Sequence, residues 1–327
     1  MPEMSESRPA ERESRVWLFV ALALTLLIRF WFILGMRGHP FSTIGPQMLD
    51  SHYYHRWAIE IISGNFWGSD VFFLRPLYPY LLALVYAVFG QHILAVQLVQ
   101  TVFATISCFL LYDTTRRIFG KRSATFASFG FALTGILVLY AGALLYVEIT
   151  VLLNLLFLWL LLVAGRRTWL WILSGVCFGL LVICRPEVLV AAPFLLWWLS
   201  RKSVVNRKLY IVRRSSLVAL TVVALAVIAI VPIRNYIVAR DPVLFTAHSG
   251  MNFYYGNNPS ADGTWQPTQE FEKGGGFSHE RLSEISHTID GIEVKASQAS
   301  PERASARPRP CPAARAPAPA RSSRRPV

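Results

Sequence analysis

Charged residues are scarce in this chain of 327 residues. Only 16% are Asp, Glu, Lys or Arg, whereas 54% are hydrophobic and the mean hydropathy is +0.43. This composition excludes a disordered chain and differs from that of ordinary soluble domains, in which about 25% of residues are charged. Several apolar runs are long enough to cross about 30 Å of hydrocarbon. The sequence therefore predicts an all-α polytopic membrane protein.

Cysteine is also sparse, and the four residues Cys108, Cys177, Cys184 and Cys311 show no spacing typical of disulfides or metal sites. We interpret them as small core residues. No internal repeat is evident, and no small-residue cleavage site follows the first apolar run. We expect that run to remain in the mature protein as a signal anchor.

The net charge of +13 would suggest a nucleic-acid partner in a soluble protein. Here residues 301–327 contain seven Arg and one Glu, and most other basic residues flank apolar runs. Basic residues in that position report topology, so we expect no nucleic-acid partner.

The apolar runs predict about seven transmembrane helices. The candidate spans are residues 16–34, 92–112, 123–141, 146–164, 168–184, 188–200 and 215–233.

The basic clusters predict the orientation of these spans. If residues 1–15 are cytoplasmic, the basic residues near 116–122, 166–167 and 201–214 fall on the same side, as the positive-inside rule requires. This holds if residues 76–90 form an interfacial or re-entrant helix rather than a further span. Residues 35–91 then form a large first extracytoplasmic loop.

The composition divides the chain into a membrane module, residues 16–240, and a more polar remainder. We expect an extracytoplasmic segment over residues 241–300 and a disordered Pro/Ala/Arg tail over residues 301–327. The abrupt change near the tail is also typical of a chain that has left its reading frame.

Asp50 follows the first candidate span within a polar stretch that also contains His52, Tyr53 and His55. A carboxylate at this place lies at the membrane face, within one helical turn of these three side chains. Further ionisable residues that we single out lie on the same predicted side: Arg75, Glu148, Arg185, Glu187 and Arg234.

An ordered set of short motifs accompanies these residues, and it resembles the N-terminal part of bacterial family 39 glycosyltransferases. These are the protein O-mannosyltransferase-like and aminoarabinose-transferase-like enzymes of the GT-C class. The motifs are Leu49-Asp50, Tyr53-Tyr54, Trp57-Ala58, Ile62-Ser63-Gly64, Arg75-Pro76-Leu77-Tyr78-Pro79, Phe89-Gly90, Arg116-Arg117-Ile118-Phe119-Gly120, Glu148, Arg185-Pro186, Arg234-Asn235-Tyr236, Asn252-Phe253-Tyr254 and Gly256-Asn257-Asn258-Pro259. The resemblance covers roughly residues 16–265.

The resemblance implies a GT-C membrane transferase of the bacterial inner membrane, with a cytoplasmic N-terminus and an extracytoplasmic active site. Its donor would be a polyprenyl-phosphate-linked sugar, and its acceptor a protein, lipid or polysaccharide. Members of the family usually continue with further spans, so we expect this chain to represent the N-terminal module.

The resemblance also implies roles for the ionisable residues. Asp50 resembles the general base that takes the acceptor's proton. Arg75 is the first candidate for a cation that faces the departing phosphate, and Arg185 and Arg234 are the next candidates. Sugar or acceptor contacts are expected from His52, Tyr53, His55, Glu148 and Glu187. We expect no cofactor. A divalent ion at Asp50, His52 and His55 is conceivable, but their spacing is not that of standard ligands.

Purely structural interpretations remain open for each residue. Asp50 is also compatible with a solvated loop position beside Arg56, although its place after the first span favours a functional role. Arg75 is equally compatible with snorkelling at the interface. Glu148 suits the N-terminus of a helix, where the dipole favours a carboxylate. Arg185 is placed to pair with Glu187 or to end a helix before proline.

Two other functions remain open as well. A transporter or flippase of a lipid-linked substrate would also need a broken helix pair and buried arginines, but inverted repeats typical of that class are not evident. An inactive truncated fragment of a transferase is the third interpretation.

Overall fold

The computed structural model describes residues 7–39, 50–200, 203–205, 208–210, 213–241 and 243–247, with side chains for 15–39, 50–200, 213–241 and 243–247. The predictions for residues 248–300, for the tail and for the motifs near Asn252 lie outside this part of the chain.

The described chain is helical, with one short hairpin. Its helices are α1 Ser7–Gly35, α2 Asp50–Ile62, α3 Leu77–Phe89, α4 Ile93–Phe119, α5 Lys121–Leu133, α6 Gly135–Gly142, α7 Val147–Val163, α8 Thr168–Cys184, a 3₁₀ helix Pro186–Ala191, α9 Ala192–Ser200 and α10 Arg214–Ala239. Strands β1 Ser203–Val205 and β2 Lys208–Tyr210 pair antiparallel, with Ser203 opposite Tyr210.

Three helices are long and apolar enough to cross a membrane, namely Arg15–Gly35 within α1, α4 and α10. The prediction of a helical membrane protein is therefore confirmed. Four shorter apolar helices, Leu77–Phe89, Val147–Val163, Thr168–Cys184 and Pro186–Ser200, coincide with the predicted interfacial helix and with three further predicted spans. The count of seven spans and the size of the first external loop stay predictions.

The predicted span 123–141 is not a continuous helix. Helices α5 and α6 meet at Thr134 with a bend of 50°, so they form one broken span or a re-entrant loop. The hydroxyl of Thr134 donates to the Gly130 carbonyl oxygen at 2.7 Å, and such back-bonding is a recognised cause of helix bending.

Helices α8 and α10 pack closely and run parallel. A Cβ atom at Gly175 would lie 2.6 Å from the Leu220 carbonyl oxygen, and one at Gly179 would lie 2.6 Å from Cβ of Val227. The contacts advance along both helices in the same direction.

An apolar core joins α2, α3 and the loop between them to the ends of α8 and α10. Its largest buried members include Tyr54, Tyr78, Leu82 and the loop residues Phe73 and Leu74. The loop buries four consecutive residues, 71–74, so it packs as part of this core. Because α2 and the loop before Arg75 both pack in this core, Asp50 and Arg75 lie in the same region of the structure.

The three cysteines within the described residues, Cys108, Cys177 and Cys184, are buried and carry no disulfide. Their interpretation as small core residues is confirmed.

Candidate functional site

Asp50 is the first residue of α2 and is half-buried. Burial raises the pKa of its carboxyl group above the ordinary 3.8, and the neighbouring Arg75 guanidinium offsets part of this rise. A carboxylate with a raised pKa is a better proton acceptor than an exposed aspartate. The Asp50 carboxyl and the Arg75 guanidinium are therefore near enough to interact electrostatically.

Arg75 is held from two sides. Its Nη2 atom donates to Oε1 of Glu187 at 3.3 Å, and its guanidinium carbon lies 4.6 Å from the centre of the Tyr146 ring. Glu187 also lies close to Arg185, with 3.5 Å between Oε2 and Nε. One carboxylate therefore bridges two arginines and brings two positive charges together.

The bridge depends on the way α8 ends. Proline at position 186 cannot continue the helix, so the chain turns at Arg185 and restarts as a 3₁₀ helix with Glu187 in its first turn. Burial raises the pKa of Glu187, but a hydrogen bond from its own backbone and the charges of Arg75 and Arg185 lower it further, to below the ordinary value. Glu187 is consequently an anion over the whole neutral range.

Two tyrosines that the sequence analysis did not select complete this cluster. Tyr54 is fully buried, lies one helical turn from Asp50, and interacts electrostatically with Asp50 and Arg75. Its hydroxyl has no hydrogen-bond partner among the described residues. The Tyr54 and Tyr146 rings stand 6.3 Å apart, edge to face. The sequence signal that could have identified them is their position. Tyr54 lies four residues after Asp50, and Tyr146 lies two residues before Glu148.

His55 and Tyr53 of α2 have other partners. His55 Nδ1 lies 2.8 Å from the Tyr86 hydroxyl, and burial lowers the pKa of His55. Burial, together with Arg56, likewise lowers the pKa of His52. Tyr53 packs against Trp57 and other rings in the apolar core. Within the described part of the chain, no group of three or more His, Cys, Asp or Glu residues is arranged to hold a metal ion.

Arg234 of α10 binds the loop that precedes Arg75. Its guanidinium donates to the carbonyl oxygens of Trp67 and Asp70 and stacks 4.0 Å from the centre of the Phe72 ring. The next residue, Asn235, accepts a hydrogen bond from the Phe72 backbone at 3.2 Å. The two residues clamp the loop to α10.

Glu148 is fully buried in the first turn of α7. It interacts electrostatically with Arg29 of α1. The structure thus brings Asp50, Arg75, Arg185 and Glu187 together, and sets Glu148 and Arg234 in separate surroundings. The roles predicted for all of these residues stay predictions.

Residues 75–233 match the family model of dolichyl-phosphate-mannose-protein mannosyltransferases. This confirms, over those residues, the resemblance found in the sequence. The matched range includes Arg75, Glu148, Arg185 and Glu187, whereas Asp50 precedes it. No curated protein and no solved structure matched the chain.

Proposed function

We propose, from the match to this mannosyltransferase family, that the chain transfers a sugar from a polyprenyl-phosphate carrier to an acceptor on the extracytoplasmic side of the bacterial inner membrane. The family description names a dolichyl-phosphate mannose donor and a protein acceptor. A polyprenyl-phosphate sugar has the same reacting group, a sugar linked through its anomeric carbon to a lipid phosphate.

The observation that carries the proposal is the cluster in which the Glu187 carboxylate bridges Arg75 and Arg185, with the Asp50 carboxyl near enough to Arg75 to interact electrostatically with it. Asp50 takes the proton of the acceptor hydroxyl while the acceptor oxygen attacks the anomeric carbon. The bond from that carbon to the phosphate oxygen breaks, and the lipid phosphate leaves as an anion. A stable leaving group of this kind needs no protonation, so one carboxylate is sufficient, unlike the carboxylate pair of glycoside hydrolases.

The departing phosphate gains negative charge as the bond breaks, and fixed cations stabilise that charge. We assign this role to Arg75 and, beside it, Arg185. Glu187 holds both arginines in place, because its two carboxylate oxygens lie close to one arginine each. For Arg234 we propose a supporting role, since its donors bind the loop that ends at Arg75.

Sugar transfer from a panel of radiolabelled polyprenyl-phosphate donors in proteoliposomes tests the proposal. Asp50→Asn should lower the transfer rate by about 100-fold or more, the usual contribution of a general base. Glu60→Gln is the matched control, because Glu60 is an exposed acid on the same helix. Equal activity of both variants would refute the role of Asp50.

A transporter or flippase of a lipid-linked substrate is the second candidate. The 50° bend between α5 and α6 favours it, since broken helices line the substrate sites of many transporters. The same proteoliposomes separate the two functions. A flippase would move labelled lipid across the bilayer without transferring its sugar, whereas a transferase would label the acceptor.

A further inference from the structure

Helix α6 ends inside the protein, and three carbonyl oxygens at its end bind side chains of α4. The last carbonyl groups of a helix have no partner within it, and an unsatisfied group in an apolar interior is costly. Gln97 donates through Nε2 to the Gly142 carbonyl oxygen at 2.7 Å. Gln100 donates through Nε2 to the carbonyl oxygens of Ala141 at 3.1 Å and Ala143 at 2.8 Å. Two glutamines three residues apart, on one face of α4, therefore cap the end of α6.

Gln100 also binds α3. Its Oε1 atom accepts a hydrogen bond from the Tyr78 hydroxyl at 2.6 Å, and both residues are only 1% exposed. The two N–H donors and the oxygen of this amide thus all have partners in the interior. One buried side chain joins the first turn of α3 to the end of α6.

The two segments that Gln100 joins are those that meet in the contact between Arg75 and Tyr146. Tyr78 follows Arg75 by three residues, and Tyr146, the residue before α7, follows Ala143 by three residues. The guanidinium carbon of Arg75 lies 4.6 Å from the centre of the Tyr146 ring. Each side of this contact is therefore within three residues of a hydrogen bond to the same amide.

Tyr54 packs between these segments and leaves them little room to move. Its ring centre lies 5.2 Å from that of Tyr78 and 6.3 Å from that of Tyr146, and both pairs stand edge to face. On the other side, Leu144 is fully buried in the same apolar core. In a close-packed interior, a shift of one ring is passed on to the next.

We propose that Gln100 is a positioning residue, which fixes the segments of Arg75 and Tyr146 relative to each other and so holds the Arg75 guanidinium on the Tyr146 ring. For its effect on sugar transfer this inference rests on the proposed transferase function. Its effect on Arg75 can be measured without any sugar donor.

The measurement is the rate at which phenylglyoxal modifies Arg75 in the full chain in nanodiscs. This reagent attacks accessible guanidinium groups, and mass spectrometry quantifies the product at Arg75 and, as an internal reference, at exposed Arg37. Gln100→Met roughly keeps the side-chain volume but removes all three hydrogen bonds. It should raise the rate at Arg75 by about fivefold, the scale of one lost cation–π contact. The rate at Arg37 should not change.

A double-variant cycle tests whether Gln100 acts through Tyr146. Tyr146→Leu removes the stacking directly and should give a similar rise at Arg75. The double variant Gln100→Met with Tyr146→Leu should show no further rise, because both changes remove the same contact. Effects that multiply in the double variant would overturn the proposal, since Gln100 would then act on Arg75 by another route.

Trp159→Phe is the control for a general loosening of α4 against α7. Trp159 of α7 donates through Nε1 to Oδ2 of Asp113 in α4 at 2.8 Å, so this variant also removes a hydrogen bond between helices. Asp113 lies 13 residues beyond Gln100, about 20 Å along the helix axis. The rate at Arg75 should stay unchanged in this variant, even if thermal stability falls.

Tyr78→Phe covers the case in which Gln100→Met does not fold. It removes only the hydroxyl and keeps both hydrogen bonds from Gln100 to α6. The rise at Arg75 should be smaller than in Gln100→Met but larger than in Trp159→Phe. If the transferase function holds, Gln100→Met should also lower kcat by about tenfold or more, because misplaced groups lose orientation, while KM changes less.

Two further results would overturn the proposal. One is an unchanged rate at Arg75 in folded Gln100→Met or, if that variant does not fold, in Tyr78→Phe. The other is an equal rise in Trp159→Phe. A raised rate at Arg75 in a protein that transfers no sugar would support the positioning role and refute the transferase function. The two claims therefore fail separately.

Discussion

Replacement of Arg75 by glutamine separates a catalytic from a structural role. The variant loses the contact to Glu187 at 3.3 Å and the stacking on Tyr146 at 4.6 Å. The Glu187 side chain is 61% exposed, so the ion pair contributes at most about 1 kcal/mol to stability. The stacking adds roughly another 1 kcal/mol.

The expected effect of Arg75→Gln on the reaction is larger. Loss of one fixed donor to a developing anion costs about 3 to 4 kcal/mol of transition-state stabilisation, which is about 100- to 1000-fold in kcat. Initial rates of sugar transfer in proteoliposomes, divided by the folded fraction from size-exclusion chromatography, measure this effect. Arg75→Lys keeps the charge but loses the planar fork, so it should retain an intermediate rate. A rate within about threefold of the unmodified protein, or a loss that only follows the folded fraction, would refute the reasoning.

Three further changes test other parts of the molecule. The transfer rate should rise with pH through a midpoint above 3.8, because burial raises the pKa of Asp50 more than Arg75 lowers it, and the base acts when deprotonated; a pH–rate profile with a midpoint at or below 3.8 would contradict this. Arg234→Ala should lower the thermal unfolding midpoint more strongly than kcat per folded molecule, because each lost hydrogen bond from a charged donor costs about 1.5 to 3 kcal/mol; the opposite order would favour direct contact with the donor phosphate. Gly175→Ala should destabilise the chain by about 1 to 3 kcal/mol, because its Cβ would lie 2.6 Å from the backbone of α10. In thermal unfolding Gly130→Ala is the control, since its Cβ meets open space and alanine favours a helix by up to about 1 kcal/mol.

The helices of the membrane module could be predicted from the sequence, because hydrophobic length and proline are local signals. The predicted ends of the fifth span, residues 168 and 184, are those of α8. The break at Arg185 and its contact with Glu187 were also recognisable, since proline at 186 ends a helix wherever it occurs. The bend at Thr134 was not predicted, because a hydroxyl in an apolar run has no fixed effect on the helix.

The grouping of the site residues depended on tertiary structure. Asp50, Arg75 and Glu187 are far apart in the sequence, and only the buried loop 71–74 and the turn after α8 bring them together. Arg234 appeared in the sequence as one arginine at the end of a span. Its binding of loop carbonyls depends on the path of a loop about 165 residues earlier, which periodicity does not report.

The central claim is that Asp50 acts as the base while the acceptor oxygen displaces the lipid phosphate from the anomeric carbon. A single displacement of this kind inverts that carbon, so the stereochemistry of the product tests the claim most directly. The purified chain would be incubated in proteoliposomes with a polyprenyl-phosphate sugar of known anomeric configuration, and NMR would determine the configuration of the sugar on the acceptor. The account predicts inversion, with product from Asp50→Asn formed about 100-fold more slowly or slower still and normal product from Glu60→Gln. Retention of configuration, or undiminished product from Asp50→Asn, would contradict it.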